Sequence, residues 1–151
     1  MAAGRYTVVG ENQTISTAIT ILELTAPSTA VLRLVKAWVS QSSVTTSAGF
    51  RIQLLRKSAT ITGTASPPTP RPTLVGYAAS GCTVKWVATG EGTDGVILDA
   101  QGDNHLNGYV WVPTDQGSNI YVPPSGIIAL KFPAAPTSAS WTFGFEYDEL
   151  G

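Results

Sequence analysis

Charge is the property that this sequence has least of. Charged residues make up 13% of the 151 residues, about half the usual share, with nine Lys or Arg against ten Asp or Glu. No segment concentrates Lys or Arg, which excludes the basic patch that binds nucleic acid by counterion release. Hydrophobic residues reach 43%, which excludes the disordered class. Thr, Ser and Gly must therefore supply most of the wetted surface.

Histidine and cysteine each occur once, as His105 and Cys82. A single cysteine cannot form an internal disulfide or a cysteine-based metal site, and its strand-like neighbours "GCTVKW" indicate a buried, inert thiol. A lone histidine cannot build a His-rich metal site, and any Ser-His-acid triad must pass through His105 in the turn-like "GDNHLNG". Phosphate-binding glycine motifs are also missing. We therefore expect no enzyme activity and no cofactor, with His105 in a solvated loop.

Long apolar runs are missing too. The most apolar stretch, Ile15 to Leu24, contains Glu23 and several Thr or Ser residues, which is unlike a membrane span. The first residues, "MAAGRYTVVGENQ", lack the basic head and apolar stretch of a secretory signal. The sequence thus predicts a protein made in the cytoplasm, with no membrane partner and no direct nucleic-acid partner.

Acidic residues gather in one region, at Glu91, Asp94, Asp99 and Asp103. Loops rich in carboxylates can bind calcium, but this spacing lacks the dense alternation of a calcium loop. A solvated acidic loop is the preferred interpretation, with a calcium site as the alternative.

The pattern that is present is that of strands. Val, Ile, Thr and aromatic residues recur at period two, and Pro or Gly interrupts them regularly. Eight or nine strands fit, and no segment has helical periodicity beyond a turn or two in a loop. At this length one hydrophobic core is expected, so residues 1–151 form a single domain. The prediction is an all-β β-sandwich of the jelly-roll type, with the first and last strands in or near one sheet.

Individual segments carry more specific predictions. The last strand places four aromatic residues on one face, which is typical of a sheet packed on a second sheet. The segment "GENQ" indicates a turn after the first strand, "GCTVKWVATG" one strand, and "EGTDGVILDAQGDNHLNG" a long loop. In "TAVLRLVKAWVSQS", alternation assigns one face to Leu32, Leu34, Lys36 and Trp38. The four residues of the aromatic row are Trp141, Phe143, Phe145 and Tyr147.

Prolines are concentrated in "TGTASPPTPRPTLVG", where four fall between Pro67 and Pro72. A domain linker, a PxxP ligand and a surface loop are the possible interpretations. A linker is disfavoured because neither flanking part is long enough to bury two sheets alone. We expect a stiff, pre-extended surface loop at about residues 59–81, with Arg71 held outward by its neighbouring prolines.

Aromatic residues outside the last strand raise a second possibility. Tyr109 and Trp111 have the same strand parity, so they could stack on a sugar ring if both were exposed. Packing in the core is favoured over this. The other aromatic residues considered for such a platform are Tyr77, Trp86 and Tyr121.

Two parts of the sequence carry a resemblance to a known group of proteins. The first is "LVKAWVSQSS" followed by "FRIQLLRKS" and the loop "PPTPRPTL"; the second is the ending "IYVPPSGIIALKFPAAPTSASWTFGFEYDE". Both resemble small proteins of tailed bacteriophages, in which a strand ending in "SQS" precedes a basic strand and a loop of the form "APTPRPL". These are similar to capsid accessory proteins, the decoration or cementing subunits of phage heads. The middle of this chain departs from that pattern.

The resemblance implies a structural protein of the virion, located on the outer capsid surface. Such a subunit is a homo-oligomer, with a trimer as the expected number, and its partner is the major capsid protein. The alternative is a carbohydrate- or receptor-binding β-sandwich of a phage fibre or similar assembly. We expect contacts from an N-terminal arm at residues 1–5, from the proline loop and from one aromatic strand. The candidate interaction residues are Arg5, Tyr6, Pro68, Pro70, Arg71, Pro72, Tyr109 and Trp111.

Overall fold

The chain forms two antiparallel sheets that pack face to face. The computed structural model describes residues 4–43, 48–104 and 106–151. A short 3-10 helix spans Gln116–Ser118. The strands in chain order are β1 (Gly4–Ile15), β2 (Thr20–Thr25), β3 (Val31–Gln41), β4 (Gly49–Ala59), β5 (Thr62–Gly63), β6 (Arg71–Pro72), β7 (Thr83–Trp86), β8 (Ala88–Gly90), β9 (Thr93–Asn104), β10 (Tyr109–Trp111), β11 (Ile120–Val122), β12 (Ile127–Lys131) and β13 (Ala139–Leu150).

The strand order is that of a jelly roll. Sheet A has the order β10-β3-β13-β1-β6, with β11 also pairing with β3, and sheet B has the order β7-β2-β12-β4-β9. Eight principal positions make up the two sheets: β1, β2, β3, β4, β9, the pair β10 and β11 counted as one, β12 and β13. Numbered one to eight, they run 1-8-3-6 in sheet A and 2-7-4-5 in sheet B, which is the double Greek-key arrangement. The predicted all-β sandwich is confirmed, and the terminal strands β1 and β13 pair directly.

The last strand carries the largest side chains of the core. β13 lies between β1 and β3, and its four inward aromatic residues, from Trp141 to Tyr147, are all fully buried. Trp141 packs against Phe50 of β4 and against Phe132, which directly follows β12; the ring centroids are 5.0 and 4.9 Å away. The predicted aromatic row is therefore confirmed as the centre of the sandwich.

Sheet B is also covered on its outer face. β5 and β8 pair as a separate two-stranded sheet, and Glu23, Ala129 and Leu55 lie side by side on β2, β12 and β4, all fully buried. The Glu23 carboxylate accepts hydrogen bonds from the backbone N–H of Ile61, at 3.0 Å, and from the hydroxyl of Thr60. A buried carboxylate thus fastens the segment just before β5 to the outside of sheet B.

The predicted eight or nine strands match the principal strands of the two sheets, and short additional strands bring the number among the described residues to thirteen. Some predictions for single segments are wrong. The supposed turn "GENQ" is a bulge within β1, where the pairing with β13 shifts between Gly10 and Gln13. The expected single strand "GCTVKWVATG" breaks at Val87, whose φ of 45° separates β7 from β8. The composition of a segment does not show such a bulge or kink, because it depends on the local backbone conformation.

The acid-rich segment after Gly92 is a strand and not a loop. β9 pairs along the whole of β4, from Thr93 opposite Ala59 to Asn104 opposite Gly49. As an edge strand it needs only one partner, so the ladder of β4 outweighs the poor strand propensity of its Asp and Gly residues.

The faces of β3 also differ from simple alternation. The pairing with β13 shifts between Leu34 and Lys36, so Leu32 and Leu34 are buried while Lys36 and Trp38 lie on the outer face. One extra residue in a strand reverses the face of everything after it.

We expect Leu55→Ala to lower the free energy of unfolding by about 2–4 kcal/mol, because it empties a fully buried site on the outer side of sheet B. Val96→Ala, on β9 where the side chain is 64% exposed, is the matched control and should stay within about 0.5 kcal/mol of wild type. Chemical denaturation measures both. Equal losses in the two variants would contradict the buried outer layer.

Candidate interaction surfaces

The proline-rich segment closes one side of the sandwich, and we call residues 64–82 the strap. The strap leaves the outside of sheet B at Thr64, pairs with β1 through β6, and returns to sheet B at β7. In β6, Arg71 lies opposite Thr7 and Pro72 opposite Tyr6. Since proline lacks an N–H, this short strand ends sheet A without offering a full edge for further pairing.

The strap is anchored at its end by the carboxylate of Glu149. This side chain is buried at the end of β13 and accepts hydrogen bonds from the Ser80 hydroxyl, at 2.8 Å, and from the Gly81 N–H, at 3.1 Å. The Ser80 hydroxyl also lies 2.8 Å from the hydroxyl of Tyr147. In addition, Tyr6 donates to the carbonyl of Ala78, at 3.1 Å. Removing the Glu149 carboxylate leaves the partly buried Ser80 hydroxyl and the Gly81 N–H without this acceptor.

The same cluster keeps the single thiol unreactive. The sulfur of Cys82 lies 3.7 Å from Glu149 Oε2, and burial raises the pKa of Cys82 to about 11. Burial also raises the pKa of the neighbouring Tyr147 hydroxyl. Because the thiolate is the reactive form, Cys82 is mostly unreactive at neutral pH.

The strap presents two apolar side chains to solvent. After β6 the chain turns at Leu74 to Tyr77, with Gly76 in the left-handed region at a φ of 90°, and Val75 is 97% exposed. Leu74 is 59% exposed beside it. Thr73 donates to the carbonyl of Arg5, at 2.9 Å, just before the turn. We call residues 74–77 the strap tip; it is an exposed apolar turn on a segment stiffened by prolines.

The outer face of sheet A carries a second exposed apolar area. Four directly paired residues form a row across β10, β3, β13 and β1: Val110, Trp38, Gly144 and Val9. A Cβ at position 144 would lie 2.4 Å from the Trp38 ring, so the glycine lets the indole lie against the sheet. Lys36 Nζ lies 5.0 Å from the centre of that ring, at cation–π distance.

A row of paired charges borders this apolar row. Asp148 accepts hydrogen bonds from Arg5 Nε, at 2.8 Å, and from Arg33 Nε, at 3.0 Å. Burial pushes the pKa of Asp148 up, but the hydrogen bonds from both arginines outweigh it and lower that pKa. The face therefore combines an aromatic centre with a rim of already neutralised charges, a composition common in protein interfaces.

The acidic region forms ion pairs instead of a solvated loop, which corrects the prediction. Lys57, whose side chain is fully buried, donates to Asp94 at 2.6 Å and to the carbonyl of Glu91 at 2.7 Å. Lys131 donates to Asp94 at 2.6 Å, and the Glu91 carboxylate accepts from the N–H and hydroxyl of Thr20 at 2.7 Å each. The acids lie here because a buried lysine requires a counter-charge.

The remaining two acids have separate environments. Asp99 accepts a hydrogen bond from the Tyr109 hydroxyl at 2.8 Å. Burial is the main cause that raises the pKa of Tyr109, and this hydrogen bond raises it further. Asp103 lies at the far end of β9. No group of three or more His, Cys, Asp or Glu residues within residues 4–43, 48–104 and 106–151 could hold a metal ion.

Two of the predicted interaction residues are not on the surface. Tyr6 and Tyr109 are buried in the core, and Trp111 packs against it, so the sugar platform of Tyr109 and Trp111 is not formed. The predicted arm is also wrong at Gly4 and Arg5, which begin β1; residues 1–3, like His105, lie outside the described residues. Pro68, Pro70, Arg71 and Pro72 lie in the strap as expected, with Arg71 exposed.

Sequence reasoning missed the most exposed apolar residues. The strap tip follows directly on the proline run, in the sequence "TLVG". Two apolar residues before a glycine in a stiff loop could have indicated an exposed apolar turn. Trp38 was assigned to the wrong face because the bulge in β3 is not visible in the sequence. Tyr77, considered only for sugar stacking, instead lies with its ring against Gly4.

No family model, curated protein or solved structure matches the chain. Among the described residues, no helix is both long and apolar enough to cross a membrane.

We expect Glu149→Ala to release the end of the strap and to speed labelling of Cys82 by a thiol reagent at neutral pH, at least about tenfold. The loss of the carboxylate both frees Ser80 and Gly81 and removes a negative charge that raises the pKa of the thiol. Glu146→Ala, on the outward face of β13, is the control and should leave the labelling rate unchanged. Unchanged labelling in Glu149→Ala would contradict the anchor.

We expect Asp94→Asn to lower the free energy of unfolding at pH 7 by about 1–3 kcal/mol, because the buried ammonium of Lys57 loses a negatively charged partner. Lys57→Met removes the ammonium itself, so its effect should be smaller. Burial raises the pKa of both carboxyl groups, but their hydrogen bonds outweigh this effect. Lys131 and Lys57 lower the pKa of Asp94 below its ordinary 3.8, and Thr20 and Lys131 lower the pKa of Glu91 below its ordinary 4.5.

The pH dependence follows from the direction of these shifts. Since folding lowers both pKa values, the stabilisation is complete above about pH 4.5 and is lost as the pH falls through the lowered values. The deficit of Asp94→Asn relative to wild type should therefore shrink at low pH. Chemical denaturation of both proteins across this pH range measures the difference. A stability difference between Asp94→Asn and wild type that stays constant down to pH 2 would contradict the role of the Asp94 ion pairs.

Proposed function

We propose that the protein is a structural subunit of a tailed-bacteriophage virion, a decoration or cementing protein that binds the outer surface of the head. The proposal starts from the resemblance of two sequence segments and draws support from the jelly-roll fold. In this role it joins neighbouring major capsid proteins and acts without catalysis. It works as a homo-oligomer, the trimer being the number that the resemblance suggests.

The observation that carries the proposal is the outer face of sheet A. Trp38 lies near the centre of this face, beside the exposed Val110 and Val9. Tryptophan at the centre of an interface with a polar rim is the usual composition of a binding hot spot. The neighbouring arginines are already paired with Asp148, so covering them costs less than burying free charges.

Several weak contacts are enough for such a role. A homo-oligomer presents the same face more than once, and linked contacts raise the effective concentration of the remaining ones. A shell that repeats its subunits in a lattice therefore binds the oligomer far more tightly than it binds one copy. The low charge of the whole chain removes much of the repulsion that keeps ordinary surfaces apart.

A second candidate function is a carbohydrate-binding or receptor-binding module of a phage fibre. The observation in its favour is again Trp38, since an indole lying flat on a sheet can stack on a sugar ring. A glycan that shifts tryptophan fluorescence in wild type but not in Trp38→Ala would support this function; silence across a broad glycan panel would count against it.

We expect the purified protein to co-sediment with expanded heads that lack it, and Trp38→Ala to weaken this binding by about 30-fold, the effect of a 2 kcal/mol hot spot. Val96→Asp, on the edge of sheet B, is the matched exposed control and should bind like wild type. Circular dichroism checks that both variants fold. Failure of the wild-type protein to bind any such head would contradict the proposed function.

A further inference from the structure

Asn107 and Gly108 form the one Asn–Gly pair in the sequence. Such a pair is chemically labile, because glycine has no side chain to keep its backbone nitrogen away from the side-chain carbonyl of the preceding asparagine. By local chemistry, position 107 is therefore the most reactive asparagine of the chain. The other asparagines all precede larger residues, in the pairs Asn12–Gln13, Asn104–His105 and Asn119–Ile120.

The structure places this pair in the turn between β9 and β10, outside the strand ladders. Asn107 is exposed, and within the described part of the chain no hydrogen bond holds its side-chain amide. Its backbone N–H donates to the carbonyl of Asn104 at 3.0 Å, and the Gly108 N–H donates to the same carbonyl at 3.2 Å. Bringing the Gly108 nitrogen to the Asn107 side chain costs these two local bonds and no sheet pairing, so a local fluctuation is enough.

The one Asp–Gly pair, Asp94–Gly95, lies where the same ring closure is blocked. Ring closure from aspartate requires a protonated carboxyl group, yet the Asp94 carboxylate accepts hydrogen bonds from Lys57 and Lys131 at 2.6 Å each. Gly95 belongs to β9, and a Cβ there would lie 3.0 Å from the carbonyl oxygen of Arg56, so its backbone is packed on β4. The fold thus protects the Asp–Gly pair and leaves the Asn–Gly pair open.

We propose that Asn107 is a self-modification site, at which the folded chain converts the asparagine to aspartate and isoaspartate without an enzyme. The deprotonated backbone nitrogen of Gly108 attacks Cγ of Asn107, a C–N bond forms, and the Cγ–Nδ2 bond breaks. Overall, the side-chain NH₂ group and the Gly108 proton leave as ammonia, and a succinimide ring remains. Water then breaks one of the two ring bonds to the Gly108 nitrogen. Breaking the bond to Cγ gives aspartate, and breaking the bond to the backbone carbonyl carbon gives isoaspartate.

Both products change the same corner of the molecule. Each adds one negative charge to a chain whose formal charge is -1, and isoaspartate also adds one carbon atom to the backbone path of the turn. β10 begins at Tyr109, directly after the pair, and carries Val110 of the apolar row on the outer face of sheet A. The modification therefore alters the border of the candidate interaction surface. The inference does not rest on the proposed function.

The experiment compares two exposed Asn–Gly pairs in one chain. Gln101→Asn creates a second pair with Gly102 in β9, at an exposed position whose strand is paired with Ile52 and Arg51 of β4. The variant is kept at mildly alkaline pH, folded or in urea, and mass spectrometry with fragment sequencing follows the gain of one dalton at each position. In the folded chain, position 107 should convert at least about tenfold faster than position 101, and in urea the two rates should agree within about twofold.

Asn107→Gln is the control for the assignment, because its longer side chain closes the corresponding larger ring far more slowly; it should abolish the isoaspartate product of the turn. Gly108 is kept, since its φ is 70° and a Cβ there would lie 2.8 Å from the carbonyl oxygen of Val39. Asp94→Asn repeats the comparison within β9 if Gln101→Asn unfolds more readily in a thermal scan. A folded wild-type chain in which Asn107 stays intact, or equal rates at positions 101 and 107 in the folded variant, overturns the inference.

Discussion

The position of β13 between β1 and β3 is the constraint on which the rest of the structure depends. Strict alternation along this strand sends Trp141, Phe143, Phe145 and Tyr147 into the core, and the same inward row ends on Glu149. The outward row supplies Gly144 beneath Trp38 and Asp148 between two arginines. One strand therefore sets the core, the anchor of the strap and the outer face of sheet A.

Buried charge is used in this molecule to fasten covering segments. Glu149 holds the end of the strap, Glu23 holds the segment before β5, and Lys57 holds the start of β9. Each charge is compensated by hydrogen bonds, as burial requires. The strap and the outer faces are thereby fixed before any partner arrives, and a preordered surface loses less entropy when it binds. This preordering supports the proposed role in assembly.

The sequence allowed the architecture to be predicted because period two holds over most of the length of the long strands. The aromatic row from Trp141 follows from this period. The neighbouring terminal strands follow from the jelly-roll architecture, and the surface loop from the concentration of prolines. Local irregularities could not be predicted, since the bulge near Val35 leaves the composition unchanged yet turns Trp38 outward.

The candidate surfaces were harder to predict than the fold. Asp94 meets Lys57 and Lys131 across 37 positions in each case, a pairing that depends on the register of β9 with β4 and on nothing local. Tyr109 was named a candidate interaction residue because it has the same strand parity as Trp111, yet its ring is buried and its hydroxyl donates to Asp99. The strap tip follows β6, whose pairing with β1 no local pattern indicates.

The measurement that tests the proposed assembly role most directly is the copy number of this protein in purified particles of a phage whose genome carries its sequence. Quantitative mass spectrometry against the major capsid protein gives that number. A subunit that covers a repeating shell should be present at on the order of hundreds of copies per particle, in a fixed ratio to the capsid protein. Its absence from particles, or its presence in only a few copies, would contradict a decorating role.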